Sequence, residues 1–180
     1  MSKGIPAIIL AAGASRRLGQ PKALVDWGGE SLVSKATRQL SQSGCNPIIV
    51  VTRSELQVDV MLQCDGATVI VNPEPEEGRT GSLQVGLLSL ISELGSTPRR
   101  VLVSPVDRCG WNLQTIEALL QCNENTSPIP SGHPLLLCEV DKILSLPKDA
   151  SLRDSIMISK ISAPGEHKNI DTPADLEGLQ

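Results

Sequence analysis

Short apolar runs alternate with longer segments of helical spacing along most of this 180-residue chain. "PAIILAA" (6–12), "NPIIVVT" (46–52), "ATVIVN" (67–72) and "RRVLVSP" (99–105) read as short, nearly continuous apolar strands. Between them, "SLVSKATRQLSQSG" (31–44) puts Leu32, Val33, Ala36 and Leu40 on one helical face, with Gly44 as its stop. "SELQVDVMLQ" (54–63), "TGSLQVGLLSLISEL" (80–94) and "NLQTIEALLQC" (112–122) carry the same spacing, and the second of these opens on a polar cap. Apolar strands separated by helices predict βαβ units: an α/β, three-layer fold around a mostly parallel, doubly wound sheet. Past residue 125 the pattern loosens. "SPIPSGHPLLLCEV" predicts a turn and a strand able to run antiparallel, so a small antiparallel element is expected in the C-terminal third. "SLRDSIMI" predicts a short helix, and "KNIDTPADLEGL" a strand end leading into a last helix with Pro173 near its first turn. With no internal repeat, linker or low-complexity tract, residues 1–180 read as one domain.

Composition narrows the partner class. A chain 40% hydrophobic and 20% charged is ordinary for a soluble globular protein. Two Trp with no Phe or Tyr give no stacking platform for single-stranded nucleic acid, and a net charge of −4 argues against general nucleic-acid binding. The five cysteines (Cys45, Cys64, Cys109, Cys122, Cys138) are odd in number, dispersed and free of any C-x-x-C pair, so they form neither a disulfide framework nor a zinc site. Reduced thiols acting as small core hydrophobes in a cytoplasm are the simplest reading. No apolar run approaches the length of a membrane span, and "MSKGIPAIIL" does not read as a signal peptide. The expected protein is cytoplasmic, with neither membrane nor nucleic acid as partner.

The candidate chemistry starts in "IILAAGASRRLGQPKALVDWGG" (8–29), just after the first strand. Ligands of open α/β sheets sit at that carboxyl end. Gly13 is expected to permit a turn that a side chain would hinder, exposing N–H groups that cradle phosphate. Arg17 and Lys22 can add charge-assisted bonds. The loop is not a P-loop, which needs G-x-x-x-x-G-K-S/T: five residues separate Gly13 from Gly19, and Gln20-Pro21 precede Lys22. It also lacks the second glycine of a G-x-G-x-x-G fingerprint. On local composition alone it also reads as a solvated basic loop.

Leu10-Ala11-Ala12-Gly13-Ala14-Ser15-Arg16-Arg17-Leu18-Gly19-Gln20-Pro21-Lys22-Ala23-Leu24 resembles L-A-A-G-x-S-x-R-M/L-G-x-P-K-x-L, the signature of the MobA-like nucleotidyltransferases. Four further blocks agree in order: "NPEPEEGRTGSLQVGL" (72–87), "VLVSPVDRCGWNLQTIEALL" (101–120), "GHP" (132–134) and "NIDTPADL" (169–176). The resemblance implies a Rossmann-like fold of the nucleotide-diphospho-sugar transferase type. It also implies transfer of a nucleoside monophosphate from a nucleoside triphosphate to a phosphorylated acceptor, with Mg²⁺ as cofactor. By resemblance Asp107 is the metal-binding aspartate and Asp171 a second ligand. Arg17 grips the departing pyrophosphate, and Lys22 neutralises the α-phosphate. Backbone groups at Leu10, Ala11 and Ala12, with Gly78 and Ser82, would read the base. "LAAG" is similar to the cytidylyl branch, which favours CTP over GTP, and His133 would lie near the acceptor. That acceptor is expected to be molybdopterin, with a molybdoenzyme receiving the finished cofactor.

The residues themselves leave other readings open. Asp107 also suits a helix N-cap or turn, and Asp171 opens a D-T-P-x-D helix-start signal. Asp175 reads as a first-turn acid favoured by the helix dipole. His133 also suits a structural turn, while Arg16 and His167 are expected to face solvent. Cys109 stands where the resemblance expects proline, and is read as an ordinary small residue or a reactive thiol. Arg108 beside Asp107 would pair with it or with substrate. These departures keep two rivals in view: a sugar- or polyol-phosphate acceptor, and a weakened nucleotide- or cofactor-binding chaperone.

Overall fold

The computed structural model describes residues 4–177. Its central strand, β1 (Ala7–Leu10), runs parallel to β2 (Ile48–Thr52) on one side and β4 (Val101–Pro105) on the other, and β3 (Thr68–Val71) extends the parallel set beyond β2. β2 and β4 are buried throughout, as their continuous apolar sequences require. Three more strands complete the sheet: β6 (Thr126–Ile129), β7 (Leu135–Leu137) and β8 (Ser159–Ser162). The strand order is β3-β2-β1-β4-β7-β6-β8, and β7 alone runs against its neighbours. A separate two-stranded sheet pairs β5 (Arg108–Trp111) antiparallel with β9 (Gly165–Asn169).

Side chains of β1 alternate between two cores, because successive residues of a strand point to opposite faces. Ile9 joins Leu32, Leu40, Val50, Leu102 and Ile116, under α1 (Leu32–Gln42) and α4 (Leu113–Leu120). Ile8 joins Ile49, Leu83, Leu87, Leu90 and Val103, under α3 (Arg79–Leu94). The doubly wound, three-layer α/β architecture is therefore borne out. The apolar face predicted for α1 is buried, with Ser31 as its cap and Gly44 at φ +80° just beyond its end. The remaining helices are short: α2 (Gln57–Met61), α5 (Val140–Leu144), α6 (Leu152–Ser155) and α7 (Pro173–Glu177).

Several details differ from expectation. α3 starts at Arg79, and Gly78 holds its cap position without a side-chain cap bond, so no polar cap opens this helix. The predicted helix over 54–63 splits into a 3-10 turn (Ser54–Leu56) and α2. β5, β8 and α5 carry no readable signal: β5 and β8 are mixed polar strands, and α5 is five residues long. The end of the predicted last helix lies outside the described residues.

α3 approaches the sheet closely at Gly86, where a Cβ would stand 2.9 Å from Ile8 Cγ2 and 3.0 Å from Val51 Cγ2. Gly86→Leu is expected to lower the unfolding free energy by about 1–3 kcal/mol through overpacking, measured by urea denaturation. An unchanged midpoint would contradict this packing.

Candidate active site

The loop after β1 takes its shape from Ser15. This residue sits in the left-handed region at φ +53°, and its carbonyl accepts the N–H groups of Leu18 and Gly19, each at 3.1 Å. Its hydroxyl accepts the Lys22 N–H at 3.1 Å. Leu18 is buried in the core and pins the loop from below. Gly13 departs from expectation: it is not in the left-handed region, and among the described residues nothing beyond its chain neighbours lies within 4 Å of where its Cβ would stand. Ser15 and Gly19 make the turn, and the space beside Gly13 is open.

That space belongs to a cavity of about 430 Å³ at the carboxyl ends of β1 and β4, a size typical of small-molecule sites. Leu10, Ala11, Ala12, Gly13, Arg17, Lys22, Gly78 and Ser82 all line it, together with Asp107 and Asp171. His133 is not among the lining residues. Sequence reading missed two contributors. Arg79 lines the cavity beside Gly78. Buried Asn72 donates to Ser82 Oγ at 2.9 Å and accepts the Glu74 N–H at 3.0 Å, which fixes Ser82. Both lie inside the "NPEPEEGRTGSL" block, where only Gly78 and Ser82 stood out. Arg16 reaches the cavity rim with a largely exposed side chain 3.9 Å from Glu76.

Asp107 and Asp171 are distant in sequence, and the small β5–β9 sheet brings them together. Arg108 pairs with Asn169, and the Ile170 N–H donates to the Asp107 carbonyl at 2.9 Å, so the residues flanking the ladder meet. Asp175 Oδ2 accepts the N–H groups of Asp171 (2.9 Å) and Thr172 (2.7 Å) and the Thr172 hydroxyl (2.9 Å). Asp175 thus satisfies this turn, and the Asp171 carboxylate is free for other partners.

Those partners are cations. Lys22 Nζ lies 2.9 Å from Asp107 Oδ2 and 2.7 Å from Asp171 Oδ1, and Arg17 Nη1 lies 2.6 Å from Asp171 Oδ2. The Lys22 hydrogen bond, then the Lys22 and Arg17 charges, hold the Asp171 carboxyl below its ordinary range. Lys22 and Asp107 are mostly shielded, with side chains 13% and 11% exposed, whereas the Arg17 side chain is 74% exposed. Asp107 Oδ1 is buried without a hydrogen-bond partner among the described residues, and such an atom is costly unless something fills its lone pairs. Two hard carboxylates, one carrying an orphaned oxygen, suit a hard divalent cation. No group of three or more His, Cys, Asp or Glu able to hold a metal occurs among the described residues, so no all-protein cage is formed.

The other singled-out groups are packed. Cys109 is buried, and burial followed by the Asp107 charge pushes its thiol up to about 11, which suits a small core residue and not a reactive thiol. His167, expected in solvent, is half-buried: its Nε2 lies 3.1 Å from the Ala163 carbonyl and its Nδ1 3.1 Å from Ser131 Oγ. Its φ of +51° turns it toward the 131–133 turn. His133 Nδ1 is buried without a partner among the described residues. Burial, and then the Arg108 and Arg79 charges, push the His133 imidazole down to about 4.

The His133 shift has a definite sign. Between about pH 6.5 and pH 4 the unfolded chain binds a proton that the native ring refuses, so stability falls as pH falls through this window. His133→Asn is expected to flatten that part of the stability–pH curve, measured by denaturant unfolding at several pH values. An unchanged slope would place the acid sensitivity elsewhere.

The model of the MobA-like NTP transferase domain matches residues 7–155. The chain is 26% identical over 175 residues to the molybdenum cofactor cytidylyltransferase of Escherichia coli K12, covering 93% of this chain and 85% of that one. It is 30% identical over 118 residues to the nicotine blue oxidoreductase of Paenarthrobacter nicotinovorans, covering 64% of this chain and about half (55%) of that relative's length. In fold it resembles the crystal structure of Rv0371c from Mycobacterium tuberculosis H37Rv, with a TM-score of 0.77, 21% identity and coverage of 99% and 98% of the two chains. A motif loop, a cavity and a family match that coincide on the same residues lead to one conclusion: this chain belongs to the MobA-like NTP transferase domain family.

Proposed function

We propose that this chain is a nucleotidyltransferase that moves CMP from CTP to molybdopterin and releases pyrophosphate, using Mg²⁺. The observation that carries the reading is the pairing of Arg17 and Lys22 with Asp107 and Asp171 at the mouth of a loop-lined cavity. The choice of CTP rests on "LAAG" and on Ala12, whose side chain narrows the cavity wall against a purine. The choice of acceptor rests on the relative in Escherichia coli named for that cofactor, which matches nearly the whole chain.

In this reaction a phosphate oxygen of the acceptor attacks the α-phosphorus of CTP. The new phosphorus–oxygen bond forms as the α–β bridging bond breaks, and pyrophosphate leaves with the bonding pair. The attacking group is already an anion, so no side chain has to remove a proton. The chain's task is to bring anions together and neutralise charge in the transition state. N–H groups of the 11–15 loop hold phosphate oxygens. Lys22, shielded and fixed through its own N–H to Ser15, stays beside the α-phosphate. Arg17, exposed and long, turns from Asp171 onto the leaving phosphates. Asp107 and Asp171 would hold Mg²⁺, which when bound supplies further charge neutralisation and orients phosphate oxygens. Binding of CTP would draw Arg17 and Lys22 away from Asp171 and Asp107 onto the phosphates.

The test is pyrophosphate release with each nucleoside triphosphate and Mg²⁺, with and without molybdopterin. CTP with molybdopterin is expected to give release, and Asp107→Ala to lower kcat/KM by about 10²-fold or more. Release with a sugar or polyol phosphate but not the pterin would move the acceptor to that class. No turnover by the wild type, with nucleotide binding intact in Asp107→Ala, would falsify the enzyme reading and favour a binding chaperone.

A further inference from the structure

One wall of the cavity, formed by Pro75, Gly78, Arg79 and Ser82, is fastened to a part of the chain that lines none of it: the strap at 145–151, which joins α5 to α6. The strap backbone meets the first turn of α3. The Lys148 carbonyl accepts the Gly81 N–H at 2.9 Å, and the Ala150 carbonyl accepts the Thr80 hydroxyl at 2.6 Å. The approach is so close that a Cβ on Gly78 would stand 2.9 Å from the Lys148 oxygen. Further along α3, Gln84 Nε2 donates to the Ile143 and Leu146 carbonyls at 3.0 and 2.8 Å. A helix N-terminus leaves N–H groups open to anions, and here the Lys148 carbonyl takes one of them.

The Lys148 side chain carries the fastening further. Its stem runs across Gly81, where an added Cβ would stand 3.2 Å from Lys148 Cβ and 3.5 Å from its Cγ. Its ammonium lies 2.6 Å from Glu74 Oε2 and 2.6 Å from Glu77 Oε2. Those two residues bracket the 3-10 turn Pro75–Glu77, Glu74 at its cap position and Glu77 as its last residue. Arg53, just past β2, takes the third carboxylate of the turn, with Nη2 2.6 Å from Glu76 Oε1. An isolated exposed ion pair adds little to stability. A stem laid along a helix, with a head that bridges both ends of a turn, instead sets where that turn lies. We propose that Lys148 is a positioning residue for the nucleotide base: it braces the 74–77 turn against the first turn of α3 and so sets the Gly78–Ser82 wall, while the phosphate loop binds the triphosphate without it. This inference rests on the nucleotidyltransferase reading, in which Gly78 and Ser82 read the base.

The experiment is calorimetric titration of the full chain with CTP and, separately, with inorganic tripolyphosphate, both in Mg²⁺ buffer. The ratio of the two affinities isolates the base, because a change of charge near the cavity acts on both anions. The wild type is expected to bind CTP about tenfold more tightly than tripolyphosphate, the worth of one or two hydrogen bonds to the base. Lys148→Met is expected to lower this ratio about threefold or more, the scale of two exposed ion pairs, and Lys148→Arg to keep it within about twofold of the wild type. Glu74→Gln/Glu77→Gln removes two negative charges beside an anion site, which by charge alone would tighten both ligands and leave the ratio unchanged; the brace predicts the same fall in the ratio as Lys148→Met. All three side chains are exposed, and circular dichroism establishes that each variant is folded. A ratio unchanged in Lys148→Met and in the double variant overturns the proposal, even if the unfolding midpoint falls. A wild type that binds CTP no more tightly than tripolyphosphate removes the base reading of Gly78 and Ser82, and the proposal with it, before any variant is compared.

Discussion

One ammonium group organises this site: Lys22 Nζ, 2.9 Å from Asp107 and 2.7 Å from Asp171. Two carboxylates brought this close in a shielded position repel each other, and each would lose its hydration without return. The cation between them offsets both costs. Holding it there explains much of the surrounding structure. Ser15 fixes the Lys22 backbone, Leu18 anchors the loop that carries both, and the β5–β9 ladder delivers the carboxylates from distant parts of the chain. Asp175 satisfies the turn after Ile170, which leaves Asp171 free for this contact.

The sheet sets where this can happen. β1 and β4 are adjacent and parallel, so the loops leaving their carboxyl ends face each other across one opening. Packing of α3 against Ile8 and Val51 brings its first turn, with Gly78, Arg79 and Ser82, to the rim of the same cavity. Charge is then distributed unevenly. On the loop side two cations meet two carboxylates, so an incoming triphosphate has to compete with internal partners.

The four parallel strands were legible because burial on both faces forces near-continuous apolar runs, which periodicity detects. The polar strands β5 and β8 were not, since half of their residues face water or a loop and their pattern matches no template. Asp107 and Asp171 stood out through motif blocks, but nothing local revealed that a two-stranded ladder joins them. The loop was placed correctly while its turn was assigned to Gly13 instead of Ser15, because glycine is the usual left-handed residue and serine is not. Asn72 and Arg79 went unnoticed for a similar reason: their importance lies in what the fold brings near them. Whether His133 and His167 are buried is a tertiary fact, and "GHP" and "GEHKN" do not encode it.

The most direct test of the Lys22-centred account is CTP binding to Lys22→Met, followed by calorimetry in the presence of Mg²⁺ beside the wild type, with circular dichroism to establish that the variant is folded. A folded variant whose CTP dissociation constant rises about tenfold or more is the expected result, since the lost ammonium makes a charge-assisted contact worth roughly 1.5–3 kcal/mol. A folded Lys22→Met chain that binds CTP as tightly as the wild type would contradict the account.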